Sequence, residues 1–146
     1  MILNLRKASR IVDEALKKGR ELNLAPLTVA VLDAGGHLVS FKREDKSGIL
    51  RPDIAIGKAW GALGMGFGTR EIAERAKTMP FFVAALTPVA QGRLVPVPGG
   101  VIIRNQRDDV LGAVGITGDT SDNDEKCAIA GIEVAGLVAQ IGAGRL

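Results

Sequence analysis

The sequence of 146 residues has no tyrosine, one tryptophan and four phenylalanines. Proteins that hold single strands by stacking need aromatic platforms, and this chain supplies few. It also lacks any run of five or six like charges. Arg6, Lys7, Arg10, Lys17, Lys18 and Arg20 are interspersed with Asp13, Glu14 and Glu21, which reads as a solvated helix face rather than a basic arm. No nucleic-acid partner is expected, although a net charge of +3 leaves a weak preference for anions. A single cysteine, Cys127, excludes an internal disulfide and suits a reducing compartment. No apolar run approaches the roughly 18 residues that span a bilayer, and the opening "MILNLRKASR" has no apolar signal core. The expectation is a cytoplasmic protein with no membrane partner.

What is present describes one domain over residues 1–146. Leu5, Ala8, Val12, Ala15, Leu16, Gly19 and Leu22 recur at helical spacing behind a capping Asn4, predicting a helix to about Asn23. "LTVAVLDAGGHLVSFKRE" reads as a hairpin turning at Ala34 to Gly36. Pro52 opens a helix to about Gly64, on which Gly57, Gly61 and Gly64 form a stripe that admits another backbone or a flat ligand. A short helix capped by Thr69 follows. Four prolines between Lys77 and Gly100 predict an irregular flap around a short strand at Leu94 to Val97. A second hairpin joins Val101–Arg104 to Val110–Thr117. The order predicts an α+β fold with an antiparallel sheet of about five strands and helices on its faces.

The stretch "GITGDTSDNDEKCAIAGIEVAG" poses the sharpest question about chemistry. Asp119, Asp122, Asp124 and Glu125 could ligate a metal through oxygen, but their spacing is not that of a twelve-residue calcium loop. Capping explains them better, with Ser121 as the cap and Asp124 as its partner three residues on. Cys127 lies past the reach of the helix dipole among acids, which favours a buried small residue over an activated thiol. A pairing of Cys127 with His37, the sole histidine, depends on the fold bringing them together. Beyond the acids, only Lys126, Glu133 and Gln140 interrupt an apolar helix. One sheet covers one face, so the surplus predicts a homo-oligomer contact, or else burial under the proline-rich flap.

Taken together, "VAVLDAGGHLVSFKRED", "IAIGKAW", "VPVPGGVIIR", "VLGAVGITGD" and "DNDEKCAIAGI" resemble the GlcG/HbpS-like haem-binding family, which also supplies the C-terminal domain of some corrinoid adenosyltransferases. The resemblance covers nearly the whole chain with its motifs in order. It implies a profilin-like three-layer α/β/α fold with a five-stranded antiparallel sheet, frequent homo-oligomers, and an accessory role in catabolism or cofactor handling. It also implies haem or another tetrapyrrole as a ligand. His37 is then the natural iron ligand, with Cys127, Met65 and Met79 as sulfur alternatives. Arg43, Lys58 and Arg51 could hold propionates or a small carboxylate. Lys58 matches the family's helix lysine, and Pro98, Gly99 and Gly100 match its "PGG" turn, whose amides could face an anion. The glycine-laden "GKAWGALGMGFGT" departs from the family's helix and would widen a pocket. The alternative is a cofactor-independent isomerase, hydratase or lyase for a small carboxylated metabolite, with Lys58 orienting the anion and Glu125, Asp124 or His37 moving a proton.

Overall fold

Helix α1 (Leu5–Glu21) starts where the sequence places it: the Asn4 side chain accepts the Lys7 amide at 2.9 Å, and Ala8, Ile11, Val12, Ala15 and Gly19 turn inward. The computed structural model describes residues 2–143. After α1 come β1 (Thr28–Asp33), β2 (Leu38–Arg43), α2 (Arg51–Met65), α3 (Thr69–Thr78), α4 (Pro80–Val89), β3 (Gly100–Arg104), β4 (Val110–Thr117), α5 (Ser121–Val134) and β5 (Val138–Gln140). The five strands form one antiparallel sheet in the order β2-β1-β4-β3-β5.

Side chains alternate across a strand, and this divides the core in two. Val29 and Val31 of β1 join Ile11, Val12, Cys127 and Ile132 under α1 and α5, while Leu32 and Ala113 meet Ala59 of α2 on the other face. The expected α+β, three-layer α/β/α architecture is therefore the one observed. Two glycines set the layer spacing. A Cβ on Gly115 of β4 would overlap the carbonyl oxygen of Ala55 in α2, and one on Gly131 of α5 would press on that of Ile11 in α1.

Several local expectations are corrected. The first part of the proline-rich segment is the helix α4, because Pro80 stands in the first turn, where its missing N–H is not needed; Leu94 to Val97 is irregular chain, not a strand. That chain lies on the glycine stripe of α2, so Gly57 and Gly61 admit Val95 and Leu94 rather than a flat ligand. The cap of α3 is Gly68 and that of α5 is Thr120, whose hydroxyl accepts the Asn123 amide; Thr69 and Ser121 are one residue inside. The last helix stops at Val134, and Gly136, at φ 78°, turns the chain into β5, so Gln140 lies on a strand. Because α1 packs on α5 as well as the sheet, most of the apolar surface of α5 is covered within one chain, with Val134 left exposed. The homo-oligomer argument drawn from α5 loses its premise. An exposed apolar face lies instead on α4, at Phe81 (90% exposed), Phe82 and Val89. Among the described residues no helix is long and apolar enough to cross a membrane.

Candidate functional site

The residues singled out in the sequence fall into three places. The first is interior. Lys58 enters from α2 beneath the sheet, 2% exposed, and donates to the Ile116 carbonyl at 2.9 Å and to Asp124 Oδ2 at 3.4 Å. Asp124, 1% exposed, also accepts the Asp119 amide at 3.0 Å. Burial pushes the ammonium of Lys58 down and the carboxyl of Asp124 up, each shift opposed by the charge of the other; Arg51 nearby lowers Lys58 further.

The "PGG" turn closes over this pair. Gly99 sits at φ 122°, and a Cβ there would stand 2.8 Å from Lys58 Nζ, so only glycine leaves room for the ammonium. The Gly100 amide, expected to face an anion, donates to the Thr69 hydroxyl at 2.8 Å, and that hydroxyl donates back to the Gly100 carbonyl at 3.3 Å. Glu125 is likewise engaged: Arg70 Nε reaches its two oxygens at 3.1 and 3.0 Å and Nη2 reaches Oε1 at 2.9 Å, while Nη2 also binds Asp122 at 2.6 Å. These two carboxylates hold the Arg70 guanidinium well above its ordinary pKa. Lys58, Asp124, Gly99 and Gly100 are thus brought together, with their polar atoms engaged by one another, by Ile116, by Thr69 or by Asp119.

The second place is the β1–β2 turn. Asp33 Oδ1 accepts the amides of Gly35 and His37 at 2.9 and 3.0 Å and lies 3.1 Å from His37 Nδ1. The His37 amide is the largest cause of a carboxyl held below its usual pKa. The imidazole side chain is 80% exposed. It lines a groove of about 350 Å³ with Ile2, Leu3, Val110 and Leu111. On the other side of the turn Trp60, Leu63 and Gly64 line a second groove of about 170 Å³.

The third place is the far end of β2, where Arg43 Nη1 donates to the Ser47 carbonyl at 2.9 Å. Six residues of extended chain separate it from His37, roughly 20 Å at about 3.3 Å per residue. His37 and Arg43 therefore stand at opposite ends of β2, while Lys58 is enclosed between α2 and the sheet. Cys127 is fully buried with its thiol pushed up to about 11, chiefly by burial, and is no ligand. Among the described residues no three His, Cys, Asp or Glu side chains cluster as a metal cage. Sequence reasoning missed Asp33, although an aspartate four residues before a histidine across "AGG" is a readable turn, and it missed Arg70, which only tertiary packing brings to Glu125.

Residues 3–133 match the family model described as haem degrading protein HbpS-like. An uncharacterized 15.0 kDa protein in the dhaT-dhaS intergenic region of Citrobacter freundii is 30% identical over 127 residues, which is 86% of this chain and 87% of that protein. The Klebsiella pneumoniae protein ORFY superposes with a TM-score of 0.83 at 27% identity, over 92% of this chain and 90% of that one. A PduOC:heme complex superposes with a TM-score of 0.84 over 94% and 98% of the two chains; at 22% identity this likeness is one of fold.

Proposed function

Because the chain belongs to the HbpS-like haem-degrading protein family, we propose that it binds haem or a related tetrapyrrole, with His37 as the iron ligand. The observation that carries this reading is the anchored, open imidazole: Asp33 engages Nδ1 while the ring stays 80% exposed beside an apolar groove. A carboxylate on Nδ1 fixes that nitrogen as the proton carrier and turns the Nε2 lone pair outward. Iron held there would supply redox chemistry; the chain's own contribution is to orient the nitrogen and to offer Ile2, Leu3, Val110 and Leu111 as apolar surface.

With one histidine per chain, any further iron ligand would come from a weaker donor or from a second subunit. We place the homo-oligomer contact on α4, where Phe81, Phe82 and Val89 are exposed, and the protein in the cytoplasm as an accessory to catabolism. The reading as a lyase, hydratase or isomerase through Lys58, Asp124 and Glu125 is weaker, since each is engaged within the chain. A visible-spectrum titration of the purified protein with hemin, beside His37→Ala and with light scattering, tests the proposal. A saturable Soret shift lost in the variant supports it; a shift of equal size and affinity in both proteins removes His37 from the iron.

A further inference from the structure

A polar corner at the opposite end of the sheet has no part in the haem reading. Arg43, Thr28 and Thr117 lie opposite one another across β2, β1 and β4, so their side chains share one face, the one α2 covers. Thr28 and Thr117 are buried, as is Ser47, whose hydroxyl meets that of Thr28 at 2.7 Å. Arg51, in the first turn of α2, donates through Nη1 to the Thr117 hydroxyl at 2.6 Å. Arg43 donates through Nη1 to the Ser47 carbonyl. Two guanidiniums thus flank a floor of buried hydroxyls, with the Lys58 ammonium behind them close enough to Arg51 for their repulsion to be felt.

The charge here is unbalanced. Lys58 has Asp124, but among the described residues neither Arg43 nor Arg51 has a carboxylate within 4.0 Å. Each guanidinium carries five donors in a planar fork suited to paired oxygens, and one donor of each is used. The N-terminus of α2 adds its positive end and has no side-chain cap, with Asp53 as the one acid in its first turn. We infer that this corner binds a small oxyanion, the carboxylate or phosphate group of a metabolite, held between the forks of Arg43 and Arg51 with the Thr117 hydroxyl as a further donor.

The test is side-chain Nε–Hε NMR of the full chain, titrated at constant ionic strength with sodium acetate, inorganic phosphate or sodium chloride. Saturable shifts at Arg43 and Arg51 with acetate or phosphate but not chloride are expected, and the tighter of the two names the group. Arg51→Gln should weaken that binding about tenfold or more, the worth of a charged hydrogen bond, without altering the backbone spectrum. Absence of saturable shifts at both arginines with both anions overturns the proposal on the unaltered protein, whatever the variant does. Equal binding by Arg43→Gln/Arg51→Gln also overturns it. Hemin binding at His37 is a separate measurement, so either proposal can fail alone.

Discussion

Replacing Lys58 by methionine isolates the interior ion pair. Methionine retains most of the buried stem and deletes the ammonium, so the Ile116 carbonyl loses its donor and Asp124, 1% exposed, keeps only the Asp119 amide. Breaking a buried pair from one side costs about 3–5 kcal/mol, a large share of the roughly 5–15 kcal/mol that holds a domain together. At a urea slope of about 2 kcal/mol/M, the midpoint falls by roughly 2 M. The fluorescence of Trp60, the only tryptophan, reports the transition. Asp124→Asn keeps an acceptor for the Asp119 amide without the charge, so Lys58→Met/Asp124→Asn should be less unstable than the sum of the single variants by about 1–3 kcal/mol. In Lys58→Met the Asp124 carboxyl, already raised by burial, loses the charge that held it down. Its folded pKa then stands further above the unfolded 3.8, and the variant gains stability as pH falls through that raised folded value toward 3.8. A Lys58→Met protein within about 0.5 kcal/mol of the parent, the range of surface substitutions, would refute the reasoning and leave the ammonium free for a ligand.

Three other predictions concern the frame. Gly115→Ala should lower Tm by roughly 5–10 °C in a thermal scan, because the new methyl overlaps the Ala55 carbonyl, whereas Gly142→Ala, with nothing within 4 Å, should leave Tm unchanged. The Asp119 carboxyl is held below 3.8, first by the Asn123 side chain and then by the Ala25 and Thr120 amides. Its contribution is therefore present above pH 3.8 and lost as pH falls through the lower folded value; acid titrations of Asp119→Asn should show a shallower loss in that window. Cys127, with its thiol near 11 and no exposure, should react with an aromatic disulfide reagent only as fast as the protein unfolds, and a rapid native-state reaction would place it at the surface.

The sequence made the frame legible wherever a local rule sufficed. Asn4 caps α1, the hairpin turns at Ala34 to Gly36, and Pro52 stands in the first turn of α2, each as the residues alone predict. Errors arose where neighbouring residues compete or distant ones decide. In "DTSDND" Thr120 and Ser121 both suit a cap, and only the path of the chain selects Thr120. Prolines 80 and 88 read as a flap because Pro is judged a breaker, yet Pro80 sits where the helix needs no amide. Gly136 carried the signal that α5 ends, but the apolar Val138 and Ala139 beyond it suit a strand as well as a helix. The site was legible as residue types, not as places. Lys58 and Asp124 are 66 positions apart, and nothing local shows that they pair.

The sheet order also dictates when the fold can close during synthesis. β1 sits between β2, which follows at once, and β4, which arrives only after α2, α3, α4 and β3. Until then the hairpin presents Val29, Ala30, Val31 and Leu32 along an unpaired edge, the kind that recruits strands from other chains. Because Gly131 must also reach Ile11 before α1 has its full cover, a chain that ends before α5 leaves the α1 layer unsealed. Late, non-local closure of this type makes folding slow and makes loss of the last helix a route to aggregation rather than to a smaller stable domain.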